Sequence, residues 1–176
     1  MRTLVLGGIR SGKSQWAESA VTAAAGDGPV RYVATGACVE DDPAWSARVA
    51  AHRERRPTQW RTVETVDLAA ELGGPDVTPT LVDDIGGWLT ATMDRRGAWS
   101  GAAIRDDADQ LVRAVGACTA PLVLVSPEVG LSVVPATEAG RRFADELGSI
   151  NQRLAATCDR VVLVVAGQPL TVKEPS

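Results

Sequence analysis

A chain of 176 residues suits a single domain, and at that size roughly 70% of the unfolded chain's surface is buried on folding. Apolar residues make up 45% and charged residues 23%, both ordinary for a globular protein, and the net charge of -4 argues against nucleic acid as the main partner. No run approaches the ~18 apolar residues that span a bilayer, and Leu4–Leu6 is too short for the core of a signal peptide, so a cytoplasmic location is expected.

The elements follow in chain order. Thr3–Leu6 reads as a buried strand, followed by a Gly-rich turn and a helix from about Lys13 to Ala25. Arg31–Ala34 reads as a second strand. Asp41-Asp42-Pro43 has the form of a helix start, an Asp cap with Pro in the first turn, and that helix should run to about Glu54 before Pro57 stops it. Thr58–Val63 fits a short strand and Leu68–Leu72 a short helix ended by Gly73-Gly74. Thr80–Val82 is a buried strand ending at Asp83. A helix over about Ala102–Cys118, a strand at Leu122–Ser126, a helix at Thr137–Thr157 and a final strand at Val161–Val165 complete the reading. Short Val/Leu runs alternating with helices predict an α/β fold, a mostly parallel sheet with helices on both faces. Ligands of such sheets sit beyond the C-terminal strand ends. Here those ends lead into Gly7–Ser14, Thr35-Gly36, Asp83-Asp84, Ser126–Gly130 and Ala166-Gly167. The three cysteines, Cys38, Cys118 and Cys158, are too scattered for metal-ligand spacing and read as small buried apolar residues.

Gly7-Gly8-Ile9-Arg10-Ser11-Gly12-Lys13-Ser14 fits the phosphate-loop pattern G-x-x-x-x-G-K-[ST] between a predicted strand and a predicted helix. Its glycines let backbone N–H groups turn inward on phosphate oxygens, and the helix N-terminus adds partial positive charge. Lys13 supplies a point charge to the outer phosphates, and Ser14 a hydroxyl for Mg²⁺. Asp83, closing a hydrophobic strand, has the placement of a Walker B acid and is the second expected metal ligand; a turn or helix cap is the alternative for it. Asp84 has the weaker claim.

His52 is the only histidine. On the helix expected to begin near Pro43 it shares a face with Arg48 and Arg55, with Trp45 and Val49 on a neighbouring apolar edge. Guanidinium neighbours disfavour imidazolium, and neutral imidazole is the nucleophilic form. On spacing alone, however, a solvated basic face carrying an incidental histidine is the better reading.

The P-loop followed by Ala17-Glu18 resembles the start of the bifunctional adenosylcobinamide kinase/adenosylcobinamide-phosphate guanylyltransferases of cobalamin biosynthesis. The resemblance continues in order through Tyr32-Val-Ala-Thr35, Arg48-Val-Ala-Ala-His52, Arg56-Pro57, Trp60-Arg-Thr62, Glu64, Leu81-Val-Asp83 and Trp88-Leu-Thr90. It extends through Glu128-Val-Gly130, Val134-Pro135, Arg141-Arg-Phe143, Asn151-Gln-Arg-Leu-Ala155, Leu163-Val-Val-Ala-Gly167 and Leu170. It implies one P-loop nucleotide-binding domain over residues 1–176 with two activities: phosphorylation of adenosylcobinamide by ATP or GTP, then transfer of GMP from GTP to the new phosphate. It also implies a histidine that carries GMP, matched here by His52, and guanosine contacts at Ala34, Thr35 and Gly36, at Arg53, Glu54, Arg55 and Arg56, and at Glu64 and Asp83. A carboxylate at Glu64 suits guanine, whose N1–H and N2 amine donate where adenine offers no match; an exposed strand carboxylate is the alternative for it. The implied partners are a corrinoid and GTP or ATP with Mg²⁺, without nucleic acid or membrane span, in a homo-oligomer, a symmetric trimer.

Two departures stand out. Asp83-Asp84-Ile85-Gly86-Gly87 replaces an expected Asp-Cys-Leu-Thr, which should add charge and flexibility near the metal, and Pro127 replaces an expected Asn, removing a backbone donor. The corrinoid is expected near Ser126–Pro135 or Trp88–Arg96. The rival functions are an ordinary P-loop small-molecule kinase without a covalent intermediate, and a nucleotide-binding regulatory module with switch loops.

Overall fold

A computed structural model describes residues 1–36 and 57–175. In chain order they form β1 (Arg2–Gly7), α1 (Lys13–Ala25), β2 (Val30–Ala34), β3 (Trp60–Glu64), α2 (Leu68–Leu72), β4 (Thr80–Asp83) and α3 (Ile85–Arg96). A 3₁₀ turn (Ala98–Ser100), α4 (Arg105–Ala117), β5 (Leu122–Pro127), α5 (Glu138–Thr157), β6 (Arg160–Val165) and β7 (Gln168–Lys173) follow.

The strands make one seven-stranded sheet in the order β3-β2-β4-β5-β1-β6-β7. The first six are parallel and β7 runs antiparallel to β6. Adjacent residues of the central strands bury on opposite faces. Leu4, Val82 and Leu124 enter one core with α2, α3, α4 and α5, while Val5, Leu81, Val123 and Val125 enter the other with α1. Coverage on both faces explains why these strands are continuous apolar runs.

Each helix has a local reason for its bounds. α1 buries only Ala17 and Val21, one turn apart on one side, and ends at Gly26, whose N–H closes on the Thr22 carbonyl at 3.0 Å. α5 starts at Thr137, whose hydroxyl accepts from the Gly140 N–H, and buries Leu147, Ile150 and Leu154 in a stripe.

Two elements differ from the sequence expectation. The segment after Asp83 is helix α3, burying Ile85, Trp88, Leu89, Thr92 and Met93. After β6, Ala166 and Gly167 turn the chain at φ values of 50° and 77°, the paired positive angles of a tight hairpin, and β7 pairs back from Val165 opposite Gln168. The helix expected from Pro43 to Glu54 lies outside the described residues, as does Cys38. Among the described residues no helix is long and apolar enough to cross a membrane. Burial pushes the Cys158 thiol up to about 12, so it packs as a small apolar side chain and holds its proton at neutral pH.

Candidate active site

The sheet register gathers the predicted residues at one edge. Gly7 stands opposite Pro127 on one side and Val164 on the other, Asp83 opposite Val125 and Ala34, and Ala34 opposite Glu64. The C-terminal ends of six parallel strands thus form one rim, with the phosphate loop at β1 and Glu64 four strands away at β3, a separation of ~19 Å at ordinary strand spacing.

The phosphate loop folds around its own hydrogen bonds. Ser11 N–H donates to the Gly8 carbonyl at 3.3 Å, and Lys13 N–H to Ser11 Oγ at 3.3 Å. Gly12 caps α1 at φ 92°, a left-handed conformation that a side chain disfavours. Arg10 also sits left-handed, at φ 57°, a conformation costing roughly 1 kcal/mol for a residue with a Cβ. Lys13 reaches back across the loop, its Nζ 3.3 Å from the Gly8 carbonyl. α1 begins without a side-chain cap and without an acidic residue in its first turn, so its positive end is left to an anion. Gly8, Ile9 and Arg10 are exposed, and Ser14 is half-buried on the first turn.

Two neighbours brace this loop. The Glu128 N–H donates to the Gly7 carbonyl at 3.0 Å, and the Gly167 N–H donates to the Ser11 carbonyl at 2.8 Å. A methyl placed on Gly12 would come within 3.2 Å of the Gly167 Cα, so the hairpin turn presses directly on the loop. Gly167 was marked in the sequence only as a strand end on the ligand edge; its bracing contact joins positions 156 residues apart and leaves no local signal.

Asp83 shares its strand face with Leu81, two residues before it, and therefore points to the α1 side. Its Oδ2 accepts the Tyr32 hydroxyl at 2.7 Å. Asp84 caps α3, its Oδ1 accepting the Gly87 N–H at 2.7 Å. The capping role weighed for Asp83 thus belongs to its neighbour. Desolvation, and then the charge of Asp83, raise the Asp84 carboxyl above its ordinary range, while the Gly87 N–H bond and the Lys13 charge work against the rise. The Asp83 carboxylate and the Ser14 hydroxyl are oxygen donors of the kind a hard divalent cation takes, while the phosphate loop beside them offers N–H groups and the Lys13 ammonium to the anion such a cation would accompany. Among the described residues no three His, Cys, Asp or Glu side chains cluster, so such an ion would complete its ligand shell with phosphate and water.

The glycine pair expected to loosen this region does the opposite. A Cβ on Gly86 would meet the Pro127 ring at 3.0 Å, and one on Gly87 would meet Thr35 Oγ1 at 3.1 Å and the Gly36 Cα at 3.3 Å. The glycines let the first turn of α3 pack between the ends of β2 and β5. Thr35 is fully buried and donates to the Asp84 carbonyl at 2.5 Å. Pro127 closes β5, and its carbonyl accepts from Asn151 Nδ2 at 3.0 Å while Ser126 Oγ donates to Asn151 Oδ1 at 2.6 Å.

Of the sequence-predicted residues, Gly7 through Ser14, Ala34, Thr35, Gly36, Asp83 and Glu64 share the rim. His52, Arg48, Arg53, Glu54, Arg55 and Arg56 lie outside the described residues. The two expected corrinoid segments separate. Trp88, Leu89 and Met93 are core residues, and Arg95 and Arg96 are engaged with Asp107. The loop after β5 instead exposes Leu131 (79%), Val133 (91%) and Val134 (73%), beyond the same rim that carries Ile9 (93%).

Residues 3–172 match the family described as cobinamide kinase / cobinamide phosphate guanyltransferase. The bifunctional adenosylcobalamin biosynthesis protein CobU of Salmonella typhimurium is 38% identical, the alignment covering 98% of this chain and 100% of that one. CobP of Pseudomonas aeruginosa, also named a bifunctional adenosylcobalamin biosynthesis protein, is 39% identical over 98% of both chains. CobU of Escherichia coli is 36% identical over 98% of this chain and 100% of its own.

Proposed function

Because the chain belongs to the cobinamide kinase / cobinamide phosphate guanyltransferase family, we propose that it phosphorylates adenosylcobinamide with ATP or GTP and then transfers GMP from GTP to the adenosylcobinamide phosphate. The observation that carries this reading is the rim itself: a braced phosphate loop, an acid on the same sheet face and a carboxylate suited to guanine, in register on one edge. In the first step the corrinoid's aminopropanol hydroxyl attacks the γ-phosphorus and the nucleoside diphosphate leaves. In the second, a nucleophile attacks the α-phosphorus of GTP and pyrophosphate leaves; the nucleophile is His52, and the corrinoid phosphate then takes the GMP from it. Gly7–Ser14 hold the phosphates, and Lys13 offsets the charge on the transferring group. Ser14 and Asp83 would hold Mg²⁺, which supplies further charge neutralisation at the phosphates. The enzyme works as one nucleotide-binding unit over residues 1–176, as a cytoplasmic homo-oligomer, a trimer. Incubation with α-labelled GTP and Mg²⁺ tests the second step: acid-labile, base-stable label on the protein is expected, and no label would leave an ordinary kinase.

Base choice follows from Glu64. A guanine nucleotide with its phosphates in the loop has to lie extended along the rim, past Asp83 and Thr35, to bring its base to β3. Glu64→Gln is expected to lower the preference for GTP over ATP in guanylyl transfer by roughly tenfold, the worth of a hydrogen bond to a charged group. Competition between the two nucleotides measures it, and unchanged selectivity removes Glu64 from the site.

The exposed apolar loop over residues 128–136 is the surface best suited to the large acceptor. Its form is held by Glu128 Oε1 accepting the Gly130 N–H at 2.6 Å and by Arg141 donating to the carbonyls of Pro135 and Ala136 at 3.1 and 2.8 Å. Val133→Glu is expected to raise KM for adenosylcobinamide roughly tenfold through lost apolar contact, with KM for the nucleotide unchanged. Steady-state kinetics with each substrate varied in turn decide it; an unmoved corrinoid KM would place the acceptor elsewhere.

A further inference from the structure

Tyr32 takes no part in either step of the proposed reaction. It sits in β2 at 3% exposure, its ring packed in the α1-side core and stacked on Trp60 with centroids 6.3 Å apart. Tyr32 is registered opposite Leu81, and Asp83 stands two residues further along β4 on the same face. The phenol therefore leans along the sheet toward the rim, where its hydroxyl donates to Asp83 Oδ2 at 2.7 Å.

We propose that Tyr32 is the positioning residue of the metal-binding carboxylate: its hydroxyl holds one oxygen of Asp83 and turns the other toward the cation. This rests on Asp83 being a metal ligand. A carboxylate at a strand end is free to rotate about two bonds, and a group fixed in the core removes that freedom before the ion arrives. Tyr32 is suited to this, because its ring is immobilised by burial and by the Trp60 stack, leaving the O–H as the moving part. Phenylalanine would fill the same core volume and could not donate. The alternative is that a buried phenol has simply found the nearest acceptor, in which case the bond serves the tyrosine and not the aspartate.

Manganese distinguishes the two without any turnover. Mn²⁺ replaces Mg²⁺, guanylyl imidodiphosphate replaces GTP, and free Mn²⁺ is counted by electron paramagnetic resonance for the wild type, Tyr32→Phe, Asp83→Asn and the double variant. Tyr32→Phe is expected to weaken Mn²⁺ binding in the ternary complex about tenfold, the usual effect of losing a group that orients a ligand. The double variant should bind no more weakly than Asp83→Asn alone, because the tyrosine acts through that carboxylate. The thermal midpoint of Tyr32→Phe should stay near the wild-type value, since the ring and its stack remain. Wild-type Mn²⁺ affinity in Tyr32→Phe, alongside a loss in Asp83→Asn, would overturn the inference and leave the metal site standing. Additive losses in the double variant would also overturn it. Wild-type affinity in Asp83→Asn would take the metal role from Asp83 and this inference with it.

Discussion

Lys13→Ala is expected to lower both the kinase and the guanylyltransferase rates by about 10²- to 10³-fold, the usual cost of removing one preorganised charge or donor from a transferring group. The two proposed reactions strike different phosphorus atoms, yet each would need a triphosphate held in the loop. Lys13 is the first residue of α1, and its Nζ already lies across the loop at the Gly8 carbonyl. A phosphate seated on the loop would meet that ammonium together with the uncapped helix end. Alanine is the best helix former, and Lys13 is only half-buried, so the thermal midpoint should hold while turnover falls. Each reaction is measured by itself, with γ-labelled ATP for phosphorylation and α-labelled GTP for guanylyl transfer. Near-wild-type turnover in either one would sink the assignment.

The parts of this site that were legible in the sequence are those that parallel sheets make local. Strand ends converge on one rim whatever the details of packing, so an apolar run followed by Gly, Thr-Gly or Asp already marks a ligand edge. Residues such as Leu4 and Val5, or Leu124 and Val125, read as strand because both faces of the sheet are covered. Helix α3 was concealed by Gly86-Gly87, which weigh against helix by propensity. Yet its buried positions 85, 88, 89, 92 and 93 keep the helical period, and close packing against Pro127 and Thr35 is what selects glycine there. Strand β7 was concealed for a different reason. Its residues from Gln168 to Val172 are all exposed and include Pro169, no apolar run marks it, and the apolar/polar alternation spans only the four residues from Leu170 to Lys173. The contacts that support the site, Tyr32 to Asp83, Gly167 to Ser11 and Asn151 to Pro127, join distant segments and leave no periodic trace.

His52→Ala is expected to abolish GMP labelling and guanylyl transfer while sparing much of the kinase activity. The proposed second reaction has to bring a triphosphate and a corrinoid phosphate to one place, and both are highly charged. A covalent intermediate lets pyrophosphate depart before the acceptor phosphate arrives, so the two need not crowd one another, and a difficult displacement becomes two easier ones. His52 is the only histidine in the chain, and on the proposed reading Arg48, Arg55 and Arg56, close to it in sequence, would disfavour imidazolium and offset the charge developing on phosphorus. In the proposed mechanism the kinase step asks nothing of that imidazole, because a hydroxyl of the corrinoid would be its nucleophile. Both reactions are run on the one variant beside wild type, with circular dichroism to establish that the fold is intact. Retained labelling would move the nucleophile to a Lys, Ser, Thr or carboxylate, since no second histidine exists to take the role. Loss of both activities in a folded protein would make His52 a nucleotide-positioning group instead. Loss of labelling with phosphorylation intact is the result that separates this enzyme from a kinase with no covalent step.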